Sequence, residues 1–232
     1  MSVTAPYLRK IRSFVRRDGR LTEAQEQALF AGTYLLDLAA LGEKTIDWTQ
    51  IFGWQAESHV LEMGFGDGAS LLEMAQAAPN TQFIGIEVYR AGVGNLLNKI
   101  KWAQVSNLQV IMADTEEVID KYFADSSLDT IQIFFPDPWH KKRHHKRRLL
   151  DSAFIEILAR KLKTGGMIHA ATDWADYAAQ ILDVLSAHPM LHNMASPAAF
   201  IPRPPYRPVT KYERRGLRLG HAIADIQFSK IG

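Results

Sequence analysis

Short apolar runs alternate along this chain with segments whose apolar positions recur at helical spacing. Five runs rich in Val, Ile, Leu and Phe predict buried strands at 59–63, 82–87, 108–114, 128–135 and 167–172. Segments with helical character follow them, at 69–78, 89–104, 116–122, 149–162 and 174–187. Because strands that alternate with helices form βαβ units, this pattern predicts an α/β fold with a mostly parallel, doubly wound sheet.

The region before the first predicted strand is less regular. Residues 1–20 predict an extended or weakly ordered arm that carries many basic side chains. Thr22 is a good N-cap, and the apolar positions that follow it predict a helix over about 23–40. Residues 41–57 are ambiguous, and a short helix is expected near 48–52.

Two further strands are expected after the regular alternation, at 191–194 and 222–228. They flank a loop rich in Pro and Arg at 197–218 and bring the expected sheet to seven strands. No internal repeat or low-complexity tract divides the chain. We therefore expect one domain over residues 1–232, with the arm at its start.

Composition narrows the class of protein. The 232 residues are 47% hydrophobic and 10% aromatic, as in a folded globular chain, and they include no Cys, which excludes disulfides and thiolate chemistry. The early charges of Arg9, Lys10 and Arg12 argue against a secretory signal, and no apolar run approaches the roughly 20 residues that span a membrane. A cytoplasmic protein is the expectation.

Charge is strongly segregated, although the net charge is only +2. The segments 7–20, 134–148 and 203–218 contain 18 of the 27 Lys and Arg residues but only 3 of the 25 acids. An acidic body that carries three basic segments is typical of a protein that binds a polyanion such as nucleic acid. Three independently solvated loops are the alternative.

Several predicted strands end in an acid. These acids are Glu62, Glu87, Asp114, Asp137 and Asp173. In an open α/β sheet, ligands bind outside the carboxyl ends of the strands. Because unpaired buried carboxylates are costly, a row of five along one edge is hard to explain as packing and predicts a ligand site.

The glycine turn after the first strand has two interpretations as a cofactor loop and one as a simple tight turn. The spacing of Gly64 and Gly66, with Glu87 about 20 residues further on, fits a degenerate dinucleotide fingerprint. The pattern Gly64-x-Gly66-x-Gly68, preceded by Glu62, better fits a loop that binds S-adenosylmethionine. That cofactor carries a sulfonium and an ammonium cation, so an acid beside the loop suits it.

The segments 135–139 and 141–148 read FPDPW and KKRHHKRR. Together they resemble the signature of the bacterial tRNA (guanine-N7-)-methyltransferases. The same family has an N-terminal Arg-Ser-Phe-x-x-Arg-x-Gly-Arg-Leu-Thr stretch, matched at 12–22, and a late Thr-Lys-Tyr/Phe-Glu, matched at 210–213. The resemblance covers about residues 9–229. It implies a Rossmann-like class I methyltransferase fold and methyl transfer from S-adenosylmethionine to N7 of guanosine 46 in the variable loop of tRNA.

The resemblance also assigns expected roles to individual residues. Contacts to S-adenosylmethionine are implied for Glu62, Glu87, Asp114 and Asp137, together with Gly64 and Gly66 of the glycine turn. Contacts to tRNA are implied for Lys141, Arg143, His144, His145, Lys146, Arg147, Arg148, Asp173, Thr210, Lys211, Tyr212 and Glu213.

The chemistry of the implied reaction agrees with these residues. Guanine N7 has an available lone pair, so its methylation needs no prior deprotonation and depends mainly on positioning. A carboxylate can stabilise the positive charge that the purine gains, and Asp137 is the catalytic candidate. Asp173 is a candidate acceptor for the guanine N1–H or amino group. The alternatives are a turn role for Asp137 and an N-cap role for Asp173.

Two other functions stay open on the residues alone: a non-catalytic RNA-binding protein and a nicotinamide dehydrogenase. The row of acids argues against the first, and the basic segments argue against the second. No metal is expected, because His140, His144 and His145 form a poor ligand set without Cys. Trp139 is expected either to stack on a base or to pack at the strand end. A monomer and a homodimer are both compatible with the sequence.

Overall fold

Helices and strands alternate through most of the chain in a computed structural model that describes residues 12–14, 19–195 and 199–232. The strands of the described residues are β1 (Ser58–Met63), β2 (Thr81–Ile86), β3 (Leu108–Ile111), β4 (Leu128–Phe134), β5 (Leu162–Thr172), β6 (Leu191–Asn193) and β7 (Ala224–Lys230). The helices are α1 (Glu23–Ala31), α2 (Leu38–Leu41), α3 (Trp48–Phe52), α4 (Ala69–Ala77), α5 (Arg90–Ala103), α6 (Thr115–Tyr122), α7 (Ser152–Lys161), α8 (Ala175–Ser186) and α9 (Lys211–Arg218). A 3₁₀ helix (Lys142–Arg147) follows β4.

The strands form one sheet in the order β3-β2-β1-β4-β5-β7-β6. The pairs among β1 to β5 are parallel, whereas β7 runs antiparallel to both of its neighbours. This arrangement confirms the predicted α/β fold with a mostly parallel seven-stranded sheet.

Alternate residues of each strand pack on opposite faces of the sheet. Leu61 and Ile84 join a core with α6, α7 and α8 on one face, and Val60 and Phe83 join a second core with α4 and α5 on the other. Helices therefore cover both faces, as predicted. The second face carries a buried polar row over its other half, because Glu62 on β1 pairs in register with Gln132, which pairs with His169.

The helix predicted over 23–40 is wrong in its length. Thr22 begins α1 with a capping box, as expected, but Gly32 ends it with a left-handed φ of +62°. A separate short helix, α2, then begins after Asp37. The side chain of Asp37 accepts a hydrogen bond from the backbone N–H of Ala39, the second residue of α2. The short helix predicted near 48–52 is confirmed as α3.

The loop predicted over 197–218 contains a helix that sequence reasoning missed. Thr210 caps α9 through a hydrogen bond that its Oγ1 accepts from the backbone N–H of Glu213 at 3.1 Å. The prolines before it masked this capping signal. The predicted N-terminal arm lies largely outside the described residues. Among the helices that the structure describes, none has the length and apolarity needed to cross a membrane.

Candidate active site

Three glycines shape the turn between β1 and α4. Gly64, Gly66 and Gly68 have φ angles of +76°, +64° and +70°, a region that glycine enters at little cost because it has no Cβ. At Gly68 a Cβ would lie only 2.7 Å from the side chain of Leu96 on α5. The turn therefore needs glycine both for its backbone shape and for its close approach to α5.

Glu87, directly after β2, holds this turn in place. Its Oε2 accepts a hydrogen bond from the backbone N–H of Gly66 at 2.8 Å, and its Oε1 accepts from Val88 and Tyr89 at 2.7 and 3.0 Å. Burial raises the pKa of Glu87, although the backbone hydrogen bonds oppose the shift. The acid links the ends of β1 and β2 and keeps a half-buried carboxylate at the edge of the sheet.

A cleft of about 590 Å³ lies at the ends of β2, β3 and β4, and we name it the β3 cleft. The carboxylates of Glu87, Asp114 and Asp137 line it, and the N-terminal residues Ser13 and Phe14 form part of its wall. Asp114 is nearly buried and also caps α6. Three of the five acids predicted for this edge therefore share one cleft.

A second cleft, of about 620 Å³, lies between the glycine turn and α9, and we name it the α9 cleft. Its lining includes Glu62, Asp67, Ser70, Phe134, Thr210, Lys211 and Tyr212. The Lys211 Nζ donates to Asp67 Oδ2 at 2.8 Å and so joins α9 to the glycine turn. Both clefts are lined by Gly64, so one elongated ligand can extend from the first into the second.

Glu62 is the buried acid of the α9 cleft. Its side chain is 3% exposed, and its Oε2 has no hydrogen-bond partner among the described residues. Burial, reinforced by the nearby charges of Glu87 and Asp67, raises the pKa of Glu62 to about 8. A buried carboxyl group without a partner is the kind of group that a cationic part of a ligand stabilises in its charged form.

Asp137 is exposed, on a strained turn after β4. Phe135 and Trp139, which flank it, have φ angles of +54° and +48°, uncommon for residues other than glycine. Asp137 Oδ1 accepts a hydrogen bond from the backbone N–H of Trp139 at 3.2 Å. The indole N–H of Trp139 donates to the carbonyl of Ser13 at 2.9 Å, so Trp139 ties the N-terminal segment to the turn.

The basic segment after this turn forms the 3₁₀ helix rather than a loop. Its exposed members are Lys141, Lys142, Arg143 and Lys146. His144, His145 and Arg147 are partly buried, and the guanidinium carbon of Arg147 lies 4.7 Å from the centre of the Trp139 ring. Desolvation and the surrounding cations lower the pKa of His144. The helix therefore presents a row of positive charge beside the Asp137 turn.

Arg148 does not belong to that exposed row, and its burial does not favour the predicted contact with tRNA, which stays a prediction. It is 4% exposed, and its Nε donates to the carbonyl of Pro138 at 2.9 Å. Its other nitrogens donate to Gln180 and to Asp176, and its guanidinium lies over the ring of Tyr177. These contacts leave no surface for a phosphate, so Arg148 anchors the turn from behind.

Asp173 lies outside the linings of both clefts. Its Oδ2 is 3.2 Å from Nδ1 of His221, and a Cβ at Gly216 of α9 would lie 2.7 Å from the same oxygen. Asp173 does not cap α8, because the backbone N–H of Trp174 donates to Thr172 Oγ1 instead. The N-cap alternative for Asp173 is therefore wrong, and its predicted contact with tRNA stays a prediction.

The four residues 210–213 do different things. Thr210 and Tyr212 line the α9 cleft, and Tyr212 is 44% exposed. Glu213 is 4% exposed and pairs with the buried guanidinium of Arg207, so its burial does not favour the predicted contact with tRNA, which stays a prediction. Lys211 has a half-exposed side chain that is engaged with the glycine turn.

Comparison with known proteins decides the family. A family model described as a putative methyltransferase matches residues 56–226. A tRNA (guanine-N(7)-)-methyltransferase of Pseudomonas putida is 52% identical over 97% of this chain and 92% of its own length. One of Shewanella amazonensis is 51% identical over 97% of this chain and 94% of its own. The chain belongs to the tRNA (guanine-N(7)-)-methyltransferases. This membership decides against a dehydrogenase and against a non-catalytic RNA-binding protein.

Solved structures support the fold of this methyltransferase. An aminoglycoside resistance methyltransferase superposes with a TM-score of 0.54 at 18% identity, over 76% of this chain and 89% of that one. A precorrin-6y C5,15-methyltransferase from Geobacter metallireducens gives 0.51 at 16% identity, over 79% and 85%. The predicted Rossmann-like class I methyltransferase fold is confirmed.

The residues around the two clefts fit S-adenosylmethionine, which is the methyl donor of this methyltransferase. The decisive observation is the unpartnered Oε2 of Glu62, since a cationic group of the ligand would supply the partner that this oxygen lacks. The carboxylates of the β3 cleft suit hydroxyl and amino groups. No cluster of His, Asp and Glu with the geometry of a metal site occurs in the described part of the chain.

Three residues outside the predicted set of site residues complete the site. Phe14 lines the β3 cleft, Asp67 holds Lys211, and Arg207 holds Glu213. Asp67 lies within the glycine turn, so its position was a usable signal. Nothing in the local sequence distinguishes Arg207 from the exposed arginines around it, because only the packing of the segment against the sheet buries it.

Proposed function

We propose that this methyltransferase transfers a methyl group from S-adenosylmethionine to N7 of guanosine 46 in the variable loop of tRNA. The observation that carries the proposal is the position of Asp137. Its carboxylate is exposed and lines the β3 cleft, and Asp137 lies in the turn that leads from β4 to the basic 3₁₀ helix. A base held by that helix would therefore meet a carboxylate at the end of the sheet.

Three carboxylates would hold the cofactor. Glu87 and Asp114, at the ends of neighbouring strands, are placed to accept hydrogen bonds from hydroxyl and amino groups of the adenosine. Glu62 in the α9 cleft is placed for the ammonium group of the amino-acid end. When bound, S-adenosylmethionine supplies an electrophilic methyl group on a sulfonium. Gly64 separates the two clefts and leaves room above the backbone, since nothing lies within 4 Å of a Cβ built there.

Catalysis then rests on positioning and on one charge. Guanine N7 carries its lone pair at neutral pH, so no side chain has to remove a proton before methylation. The purine becomes positively charged as the methyl group is transferred, and Asp137 is an exposed carboxylate that lines the β3 cleft where this charge would develop. Its backbone turn is held by Trp139 and by Arg148 through Pro138.

The basic residues would contact the tRNA backbone. Lys141, Lys142, Arg143 and Lys146 are exposed on one short helix, and Arg214, Arg215 and Arg218 are exposed on α9. Contacts of this kind position RNA without reading its sequence. We infer a cytoplasmic location, where tRNA is available, and a monomer or a homodimer as the active form.

Mapping the methylated nucleotide tests the proposal. Purified protein, labelled S-adenosylmethionine and unmodified tRNA transcript are incubated, and the RNA is cleaved by borohydride and aniline, which break the chain at N7-methylguanosine. We expect a single cleavage at position 46 and no label in a transcript with adenosine at that position. Cleavage at another guanosine would overturn the assigned position, and absence of transfer would overturn the activity.

A further inference from the structure

A completely buried arginine lies behind the wall of the α9 cleft. Arg207 has 0% of its surface exposed, and it donates from Nε to Asp225 Oδ1 at 2.6 Å and from Nη2 to Asp225 Oδ2 at 2.8 Å. Its Nη1 donates to Glu213 Oε2. One guanidinium therefore joins β7 to the first turn of α9 with a fork on one carboxylate and a single bond to the other.

Three further side chains form a chain of hydrogen bonds that starts at Asp225 and fixes where its protons lie. His169 Nε2 lies 2.8 Å from Asp225 Oδ1, and Tyr206 Oη lies 2.7 Å from His169 Nδ1. Gln227 Nε2 donates to the Tyr206 oxygen at 2.7 Å. Burial lowers the pKa of His169, although Asp225 opposes the shift. A neutral His169 that donates from Nε2 and accepts at Nδ1 satisfies every one of these contacts.

Burying three charged groups in such a cluster carries a desolvation cost that well-packed apolar side chains would not have. Removing an arginine and two carboxylates from water has a large desolvation cost for each ion, and their attraction offsets that cost only with good geometry and full hydrogen bonding. A polyanion cannot reach a guanidinium with no exposed surface. Arg207 therefore cannot act as one of the RNA-binding arginines of the 203–218 segment.

The cluster is connected to the cleft by two routes. Along the chain, Glu213 lies one residue after Tyr212 and two after Lys211, which is paired with Asp67 of the glycine turn. Through space, the Arg207 guanidinium lies 5.8 Å from the centre of the Phe135 ring, which in turn is stacked 6.5 Å from the ring of Tyr212. Arg207 thus supports both the backbone and the ring that form this wall.

We propose that Arg207 is a positioning residue, which holds Lys211 and Tyr212 against the glycine turn so that the guanine enters beside the cofactor in one orientation. Arg207 touches neither the RNA nor the cofactor. The identity of the base rests on the proposed function. Glu213 acts in the same way, as the link between Arg207 and α9.

Two conservative variants test this role. Glu213→Gln removes the charge of the link and leaves the fork between Arg207 and Asp225. Arg207→Lys keeps the charge, but one ammonium group cannot reproduce the fork. We expect kcat to fall about 10- to 100-fold in both, since a misplacement of about 1 Å costs this much. We expect the tRNA dissociation constant and its salt dependence to stay within about twofold of wild type, because no phosphate contact is lost.

Each rival explanation gives a different result. If Arg207 contacted RNA, Arg207→Lys would keep kcat, while the tRNA dissociation constant or its salt dependence would change by more than twofold in at least one of the two variants. If the cluster served stability alone, the melting temperature of the variants would fall but their kcat would stay at the wild-type value. For this comparison kcat is calculated from the concentration of folded protein, measured as the concentration of sites that bind S-adenosylhomocysteine. Either result would overturn the proposal. Arg160→Lys is the matched control, because Arg160 forms ion pairs with Asp120 and Asp125 on the exposed side of α7.

A double-mutant cycle gives the sharpest test. If Arg207 acts through Tyr212, then Arg207→Lys should cost kcat little further in a Tyr212→Ala background, because the ring it positions is already absent. Additive losses would overturn the proposal. Methyl transfer by the wild-type protein is the reference throughout. Its absence would refute the proposed function, whereas normal wild-type transfer with unchanged variants would refute only the role of Arg207.

Discussion

Glu62 and Glu87 lie near the ends of adjacent strands and differ in what surrounds their carboxylates. Glu87 accepts hydrogen bonds from three backbone N–H groups, and Glu62 has an oxygen with no partner in the described part of the chain. Burial raises the pKa of both, and that of Glu62 to about 8. Backbone donors fix the position of the Glu87 carboxylate, which then suits neutral hydroxyl and amino groups, whereas the unsatisfied Glu62 suits a ligand that brings its own charge.

Glu62 should make the free energy of unfolding depend on pH. Its pKa is about 8 in the folded protein against an ordinary 4.5, so between these values the folded state holds more protons than the unfolded state. Stability therefore falls as pH rises through this window. In Glu62→Gln this loss disappears. Urea denaturation should show the variant gaining a few kcal/mol relative to wild type between pH 5 and pH 8.

The free energy of unfolding must be compared at pH 5 and at pH 8 in both proteins. The buried amide of Glu62→Gln destabilises the variant by the same amount at every pH, and only the change with pH reports the ionisation of Glu62. Glu23→Gln, on the exposed surface of α1, is the matched control and should follow the wild-type pH profile. An equal pH dependence of Glu62→Gln and wild type would mean that Glu62 is ionised in the folded protein.

Asp137→Asn should remove the charge that stabilises the methylated purine while keeping the turn. We expect kcat to fall on the order of 100-fold, and tRNA affinity to change little, because the basic 3₁₀ helix is intact. Single-turnover methylation and fluorescence anisotropy measure the two quantities. Asp183→Asn on the exposed surface of α8 is the control. Full activity of the Asp137 variant would show that another group carries the role.

The row of acids could be predicted from the sequence because parallel strands end at one edge and carboxylates rarely go unpaired there. Burial of basic and acidic side chains could not be predicted in the same way. Arg148 and Glu213 stand among residues of similar charge, and only the three-dimensional packing separates them from exposed neighbours such as Lys146 and Arg214.

At the scale of elements, the 3₁₀ helix after β4 has an exposed, positively charged side and a buried end that holds the Asp137 turn. Arg148 marks that buried end through its contacts with the carbonyl of Pro138 and with α8. Charge and anchoring are therefore separate properties of one basic segment. Substitutions at the two kinds of position should have different consequences.

Arg148→Met should act on stability and turnover rather than on RNA affinity. The carbonyl of Pro138 and the side chain of Gln180 would lose a buried donor, which costs about 1–3 kcal/mol. Chemical denaturation measures that loss, and kcat should fall because the Asp137 turn is less well held. A weaker tRNA affinity with unchanged stability would return Arg148 to the RNA-binding surface.

Lys142→Gln combined with Lys146→Gln should weaken tRNA binding without disturbing the cofactor. Two fewer phosphate contacts should reduce the slope of log affinity against log salt by about 1.5. Titrations at several salt concentrations measure it, and calorimetry with S-adenosylhomocysteine should give the wild-type value. Lys44→Gln with Lys101→Gln, at exposed positions outside the basic segments, is the matched control. An unchanged slope would contradict the assignment.

Most elements were predictable because buried parallel strands carry near-continuous apolar runs. The two failures have physical causes. Gly32 interrupts a sequence that is otherwise compatible with one long helix, and it ends α1 in the left-handed conformation that glycine adopts at little cost. For α9, the helix is short, strongly charged and follows several prolines, so its periodicity gave no apolar face to detect.

At the scale of the whole molecule, three segments that are distant in sequence meet around the Asp137 turn. Trp139 binds the carbonyl of Ser13 from the N-terminal segment, and Phe135 stacks against Tyr212 of α9. The charge pattern predicted that the three basic segments act together. The charge pattern could not predict that Phe135 and Trp139, the aromatic residues on either side of the Asp137 turn, contact the other two segments.

The position of β7 has a consequence for synthesis on the ribosome. β6 leaves the ribosome before β7, yet the sheet order places β7 between β5 and β6. Until β7 emerges, β6 has no partner in the sheet and Arg207 lacks the carboxylate of Asp225. The wall formed by α9 can therefore assemble only after the segment 224–230 has been translated, so its completion is one of the last steps in folding of the chain on the ribosome.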